Sequence, residues 1–151
     1  MALRIAFASD HAAVALKAAL LAVARETGHE AIDLGPEGEA SVDYPDYGYA
    51  LARAIAEGRA DRGVALCGSG IGISIAVNRH PAMRCALVSE PLSAALAREH
   101  NDANAIAMGA RTIGPDMARA CLLAFLATDF AGGRHQRRVD KLTHPPVKEL
   151  A

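Results

Sequence analysis

Short apolar runs alternate with longer helix-forming segments along this chain. Residues 4–9, RIAFAS, are short and apolar, which predicts a strand. Residues 12–26 are rich in alanine and leucine, and Gly28 closes the segment, which predicts a helix. The chain therefore begins with a strand followed by a helix.

The same order recurs towards the C-terminus. Further strands are predicted at residues 30–34, 63–66, 84–88 and 105–108, and further helices at residues 47–57, 70–78, 91–99, 116–128 and 134–142. Strands that alternate with helices, each too apolar to face water on both sides, imply a parallel sheet covered by helices on both faces. We predict a doubly wound α/β sandwich with a five-stranded parallel sheet, in which the strands at 84–88 and 105–108 are both buried.

Length and composition set the frame for this fold. The 151 residues, 52% of them hydrophobic, contain no repeat or flexible linker, so residues 1–151 are expected to form one domain. Its core covers about residues 3–142, and residues 143–151 form an irregular tail. The N-terminus shows no cleavage-site pattern and no apolar run reaches the length of a membrane span, so we expect a cytoplasmic protein. A net charge of −1 without a basic face predicts neither a nucleic-acid nor a membrane partner.

Polar residues just after the strands are the first candidates for chemistry, because ligands of such sheets bind beyond the carboxyl ends of the strands. Asp10 and His11 follow the first strand, residues 67–70 follow the third and Glu90 follows the fourth. An acid, an imidazole, a thiol and a hydroxyl are therefore expected at this edge of the sheet.

A glycine-rich turn, LCGSGIGIS, follows the third strand. Gly68, Gly70 and Gly72 let the backbone turn tightly and aim several N–H groups at one anion near the start of the next helix. A dinucleotide fingerprint would need glycine where Ile73 stands, and a Walker A lysine is absent. Glu90 lies about twenty residues on, as a ribose-binding acid would, so a nucleotide site stays a weaker alternative.

The three cysteines are widely spaced and form no CxxC pair, so neither a disulfide framework nor a structural zinc site is predicted. Cys85 and Cys121 lie in apolar segments and are predicted to be core residues. Cys67 stands before a helix N-terminus, which favours a thiolate acting as base or nucleophile. A small buried residue at a strand end is an equally good interpretation.

Two clusters near the C-terminus carry further candidates. His100 and Asn101 end the fourth predicted helix, where a helix cap with an Asx turn is the structural alternative. Arg134 and Arg138 share one helix face by their spacing, and two guanidinium groups on one face can grip a phosphate. A solvated basic face is the commoner explanation of such spacing.

Five motifs in chain order, between Leu3 and Leu142, resemble the type B ribose-5-phosphate isomerases, a family that also contains the galactose-6-phosphate isomerase subunits. The motifs are ASDHAA, DYPDY, CGSGIGISIAVNR, SEPLSAALAREHNDANAIAMGAR and GGRHQRRVDKL. The resemblance implies a single Rossmann-like three-layer α/β/α sandwich that interconverts an aldose phosphate and a ketose phosphate without cofactor or metal. It also implies a homodimer or homotetramer with active sites shared across the dimer interface.

The resemblance further assigns roles to residues of this chain. Cys67 matches the family position of the base that forms a cis-enediolate. Some relatives lack this cysteine and carry a glutamate at the position of Ile73, so the pair Cys67 and Ile73 puts this chain in the thiol-based group. Ser69 would shuttle a proton to the substrate oxygens. The N–H groups of the turn would stabilise the negative oxygen, and they belong to Gly68, Ser69, Gly70, Ile71 and Gly72.

Other matched positions concern the ring and the phosphate. His100 would open the sugar ring, aided by Asp10 at the ring hydroxyls and Asn101 at the enediolate, and Tyr44 would wall the sugar. The phosphate would meet His11, Arg111, Arg134 and Arg138. In the family, His100 and the arginines come from a neighbouring subunit, so an isolated monomer is expected to be inactive. The remaining histidines are interpreted as surface or structural, and they are His29, His80, His135 and His144.

The leading hypothesis is interconversion of ribose 5-phosphate and ribulose 5-phosphate, a step of the non-oxidative pentose phosphate pathway. Another phosphosugar is the first alternative, either allose or galactose 6-phosphate or erythrulose 4-phosphate, because the loop at residues 35–43 sets substrate length. A non-catalytic module that binds phosphosugars or nucleotides is the alternative of a different class. It would require Cys67 or His100 to be dispensable.

Overall fold

The computed structural model describes the backbone of residues 1–150 and the side chains of residues 1–148. Its strands are Arg4–Ser9 (β1), Glu30–Asp33 (β2), Arg62–Cys67 (β3), Cys85–Leu87 (β4) and Ala105–Gly109 (β5). They form one sheet in the order β2-β1-β3-β5-β4, and every neighbouring pair is parallel. The predicted five-stranded parallel sheet is confirmed.

Helices connect these strands and follow the last one. They are Val14–Glu26 (α1), Tyr44–Ala56 (α2), Ile71–Val77 (α3), Pro91–Asn101 (α4), Pro115–Ala127 (α5), Gln136–Thr143 (α6) and Val147–Leu150 (α7). Short 3-10 turns at His11–Ala13 and Gly133–His135 precede α1 and α6. Across residues 1–150, none of these helices is long and apolar enough to cross a membrane.

The two faces of the sheet carry separate cores, because successive side chains of a strand point to opposite faces. Ile5 and Phe7 of β1 pack in a core with residues of α1, α4 and α5. Ala6 and Ala8 of the same strand pack in a second core with residues of α2 and α3. These two layers of helices around the sheet confirm the three-layer α/β/α sandwich.

Several predictions about the burial and the boundaries of these elements were wrong. Strand β4 is not buried as expected, because it lies at the edge of the sheet and Leu87 is exposed. Helix α2 begins at Tyr44 instead of residue 47, because Pro45 occupies its first turn, where a proline fits a helix. Helix α4 continues beyond residue 99 until Asp102 adopts a left-handed conformation, and the tail contains the short helix α7.

The order of the strands positions a crevice at one edge of the sheet. Strand β1 lies between β2 and β3. The connection that leaves β1 runs through α1 on one face of the sheet towards β2, whereas the connection that leaves β3 runs through α3 on the other face towards β4. The connections therefore diverge at the carboxyl ends of β1 and β3. This divergence leaves the open crevice in which ligands of doubly wound sheets bind.

Candidate active site

A depression with a volume of about 380 Å³ opens beyond the carboxyl ends of β1 and β3. It is lined by Asp10, Tyr44, Cys67, Gly68, Ser69, Gly72, Arg111 and Thr112. Seven of these eight residues were predicted as site residues, and Thr112 was not. Because they come from the ends of β1, β3 and β5 and from α2 and α3, only the folded sheet brings them together.

The thiol of Cys67 is held by the turn that follows it. The Gly70 N–H donates a hydrogen bond to Cys67 Sγ over 3.1 Å. Gly70 has a φ of +77°, and a Cβ there would lie 2.7 Å from the carbonyl carbon of Met108. Only glycine fits this position, since any side chain would meet both steric strain and backbone atoms. The turn thus places an amide donor on the sulfur where Cys67 lines the depression.

Two N–H groups of the predicted anion hole already have partners inside the turn. Gly70 donates to Cys67 Sγ, and the Ile71 N–H donates to Ser69 Oγ over 3.2 Å. These two N–H groups therefore fix the sulfur and the hydroxyl within the turn, and their role towards a substrate oxygen stays a prediction. Ile73, which stands where some relatives have a glutamate, is fully buried in the core beneath α3. Its side chain lies outside the depression.

Arg111 and Thr112 enter the site from the turn after β5. The Arg111 N–H donates to the Gly68 carbonyl over 2.9 Å, so the two turns are joined. The guanidinium lies over Gly68, where a Cβ would come within 3.2 Å of Nη1. Thr112 Oγ1 donates to the Gly109 carbonyl. The sequence offered the motif GART for Arg111 but no separate signal for the threonine.

Asp10 and His11 follow β1 directly. Asp10 is 9% exposed, and its Oδ1 accepts the Ala12 N–H over 2.9 Å, which caps the 3-10 turn. The same residue lines the depression. The His11 ring is turned towards residue 42, whose N–H donates to His11 Nδ1 over 3.1 Å. His11 therefore lies beside the depression and not in its lining.

A second cluster lies at the end of α4. The rings of His100 and His135 are stacked with centroids 4.4 Å apart and an angle of 13° between their planes. The pKa of His135 is lowered by burial and then by the positive charges of His100, Arg134 and Arg138. His135 was interpreted as surface or structural, and this stacking on a predicted catalytic residue went unrecognised. A lone histidine in a basic segment gives no pattern that would reveal it.

Within one chain, this cluster lies at the amino ends of the strands, whereas the thiol lies at the carboxyl ends. Cys67 pairs with Gly109 at the carboxyl end of β5, whereas α4 leads into the amino end of β5 at Ala105. Strand β5 alone separates these ends by about 13 Å at the usual rise per residue. Asn101 is exposed and borders another depression, beside Arg84. One chain therefore does not bring His100, Asn101, Arg134 and Arg138 to Cys67.

The other polar side chains show no metal centre. Among residues 1–148, no group of three or more His, Cys, Asp or Glu side chains is arranged to hold a metal ion. His29 and His80 instead accept backbone N–H groups through Nδ1, from Leu3 and Ala82.

Comparison with known proteins resolves the family. A sequence profile described as ribose/galactose isomerase matches residues 5–142. The chain belongs to this family. Ribose-5-phosphate isomerase B of Escherichia coli is 43% identical over 140 residues, which cover 93% of this chain and 94% of that protein. D-Erythrulose-4-phosphate isomerase of Pectobacterium atrosepticum is 39% identical over 142 residues and covers 93% of both chains.

Solved structures of the ribose/galactose isomerase family share the whole fold. Ribose-5-phosphate isomerase B of Clostridium thermocellum has a TM-score of 0.93 at 42% identity, and the match covers 97% of this chain and 99% of that one. The type B enzyme of Trypanosoma brucei has a TM-score of 0.92 at 40% identity, covering 95% and 98%. These matches confirm the resemblance that the five motifs predicted. The protein is an aldose–ketose isomerase of this family.

Proposed function

We propose that this protein interconverts ribose 5-phosphate and ribulose 5-phosphate with Cys67 as the catalytic base. The observation that carries the proposal is the position of Cys67 Sγ, which lines the depression and accepts the Gly70 N–H. The likeness to ribose-5-phosphate isomerase B of Escherichia coli supports ribose as the sugar. On this proposal, the protein acts in the non-oxidative pentose phosphate pathway, and the expected cytoplasmic location is part of the same proposal.

The chemistry follows from the groups around the thiolate. In the open-chain aldose, the thiolate of Cys67 removes the proton from C2, and the electron pair moves towards the carbonyl oxygen at C1 to give a cis-enediolate. The C2 hydroxyl proton is transferred to the oxygen at C1, and on this proposal Ser69 carries it. The thiol then returns its proton to C1, and a carbonyl at C2 completes the ketose. No net oxidation occurs, since hydrogen only moves between two carbons and two oxygens.

Charge on the enediolate requires donors that do not move during the reaction. Arg111, which the resemblance assigns to the phosphate, lies over Gly68 and on this proposal also brings its positive charge to the enediolate. The N–H groups of Gly70 and Ile71 act one step away, because they hold Cys67 Sγ and Ser69 Oγ. We therefore assign the turn two tasks, fixing the base and its proton carrier as well as facing the substrate.

Ring opening and phosphate binding are proposed to need a second chain. In the same chain, Cys67 lies at the carboxyl ends of the strands. His100, Arg134 and Arg138 lie at the opposite, amino ends. A homodimer, alone or within a homotetramer, would bring the partner's copies of these three residues to the depression. An apolar surface beside the depression suits this contact: Ile71 and Ile75 on α3 are 53% and 60% exposed, and neighbouring Leu87 is 47% exposed.

The activity is tested with a panel of substrates and chelator-treated protein. The panel contains ribose 5-phosphate, allose 6-phosphate, galactose 6-phosphate and erythrulose 4-phosphate. We expect ribose 5-phosphate to have the highest kcat/KM. A higher value for a four- or six-carbon substrate would replace the sugar while keeping the chemistry. The Pectobacterium relative makes erythrulose 4-phosphate the strongest competitor. No turnover of any substrate would favour a non-catalytic binding module.

The shared site is tested by mixing two impaired variants, Cys67→Ala, which lacks the proposed base, and His100→Ala, which lacks the proposed ring-opening residue, at enzyme concentrations where ring opening limits the rate of His100→Ala. A heterodimer of the two holds one site with both residues intact and one site that lacks both. Random exchange in a two-fold symmetric dimer then restores about a quarter of wild-type activity. A mixture whose activity does not rise above that of the separate variants after subunit exchange, shown by mass spectrometry, would place both residues in a site within one chain.

A further inference from the structure

The loop between β2 and α2, residues 34–43, is fixed at its start by a buried lysine. Lys17 of α1 is 1% exposed, and its ammonium forms an ion pair with Asp33 at the end of β2. Its Nζ also donates to the Pro36 carbonyl over 2.7 Å. Asp33 Oδ1 accepts the Gly35 N–H over 2.8 Å as well. A buried charge with this many partners holds its neighbours firmly, because leaving it unpaired would be costly.

The other end of the same loop holds the ring of His11. The Val42 N–H donates to His11 Nδ1 over 3.1 Å. A ring nitrogen that accepts a hydrogen bond carries the lone pair, so the neutral ring has its proton on Nε2. His11 therefore offers an N–H donor from Nε2. The ionised oxygens of a phosphate accept hydrogen bonds, so this tautomer suits a phosphate, whereas the other tautomer would turn a lone pair towards the anion.

We propose that the β2–α2 loop is the positioning element of His11. Lys17 and Asp33 fix the start of the loop, and Val42 at its far end holds His11 in the form that donates from Nε2 to the substrate phosphate. Lys17 and Val42 are positioning residues that act through His11. The role of His11 at the phosphate rests on the proposed function, whereas its tautomer does not. The loop that was expected to set substrate length is thereby joined to the phosphate site.

The first experiment needs no substrate. Nitrogen-15 NMR of the imidazole rings distinguishes a protonated from an unprotonated Nδ1, and comparison with His11→Gln assigns the His11 signals. In the wild-type protein, at a pH where the ring is neutral, we expect Nδ1 of His11 to be unprotonated and Nε2 to carry the proton. A neutral ring with its proton on Nδ1 overturns the proposal.

The second experiment compares Val42→Pro, which removes the N–H, with Val42→Ala, which keeps it. Losing one positioning hydrogen bond should raise the Kd of inorganic phosphate and the KM of ribose 5-phosphate about tenfold in Val42→Pro, with kcat changed less than about threefold. Val42→Ala should stay within about twofold of wild type. Equal effects of proline and alanine would overturn the proposal.

Lys17→Met tests the start of the loop, also where Val42→Pro does not fold. It should weaken inorganic phosphate binding in the same direction, and added to Val42→Pro it should cause little further loss, because both act through one loop. Val23→Ala, on the same helix and directed into the core, controls for lost stability alone. Unchanged phosphate binding in Lys17→Met overturns the proposal. Failure of the proposed function would look different: ribose 5-phosphate would not turn over, while the His11 tautomer would be as stated.

Discussion

The backbone of Gly72 lies against the ring of Tyr44, so close that a Cβ at position 72 would be 2.6 Å from Cζ of the ring. Tyr44 is 41% exposed, so its ring can swing into solvent when pushed. We expect Gly72→Ala to displace the ring from the depression and to raise the KM of ribose 5-phosphate about tenfold, the worth of one aromatic contact. The thermal midpoint should change little.

This effect of the Gly72 substitution is checked by steady-state kinetics on a double-mutant cycle with Tyr44→Ala. Without the ring, an alanine at position 72 has room, so it should add no further change in KM. Gly114→Ala is the matched control, because a Cβ there would meet no atom within 4 Å. An undiminished effect of Gly72→Ala in the Tyr44→Ala background would contradict this explanation.

Cys67→Ala should lower kcat by about two to four orders of magnitude, the usual worth of a general base, while substrate binding persists. Kinetics together with calorimetric titration of ribose 5-phosphate measure both quantities. Turnover near the wild-type value would place the base elsewhere.

Thiol alkylation near neutral pH should inactivate the enzyme through Cys67 alone. Burial raises the pKa of the Cys85 thiol to about 12 and also raises the pKa of the Cys121 thiol, so both stay protonated at neutral pH. The reactive species is the thiolate. A Cys85→Ser/Cys121→Ser variant should therefore be inactivated by iodoacetamide as fast as wild type, as followed by residual activity and peptide mapping. Protection in that variant would show that another cysteine is responsible.

His100→Ala should leave the isomerisation step but remove ring opening. Turnover of ribose 5-phosphate would then be limited by spontaneous opening of the sugar ring, so the rate should stop rising as more enzyme is added. A coupled assay over a wide range of enzyme concentrations reveals such a plateau. A rate that stays proportional to enzyme concentration would argue against a ring-opening role for this residue.

Arg138→Gln should raise the pKa of His135. That pKa lies below its usual value of 6.5 through burial and the positive charges of His100, Arg134 and Arg138. The folded protein disfavours the protonated ring. The contribution of His135 to the free energy of unfolding is therefore fully present above the ordinary pKa and is lost as the pH falls through that value. Removing one positive charge weakens this dependence. NMR titration of the His135 ring checks the sign, and an unchanged or lower value would contradict it.

The sequence predicted the sheet and the site residues that directly follow its strands for a common reason. Each strand is a short apolar run, and residues that follow strands lie at one edge of a parallel sheet, so Asp10 and Cys67 could be placed together before the structure was known. The place of each strand across the sheet could not be predicted in this way, because the order of strands along the chain does not say which strand lies outermost. The partial exposure of β4 therefore could not be predicted.

The rest of the site depends on contacts that leave no local pattern. His135 stacks on His100 only because the 3-10 turn after α5 returns to the end of α4, a tertiary contact between distant segments. Thr112 lines the depression because β5 ends beside β3. The separation of His100 from Cys67 also emerges only once strand order and direction are known. Resemblance to a family supplied a role for His100, which the strand pattern alone did not, and it supplied none for Thr112 or His135.

Because Cys67 and His100 lie at opposite ends of the strands in one chain, the protein concentration should control the activity per molecule. If each complete site needs two chains, the fraction of working sites follows the fraction of associated chains, and dilution acts as an inhibitor. Activity per molecule should then fall on dilution towards the dissociation constant of the dimer and recover on concentration. Any agent that loosens the contact would slow the reaction without entering the pocket.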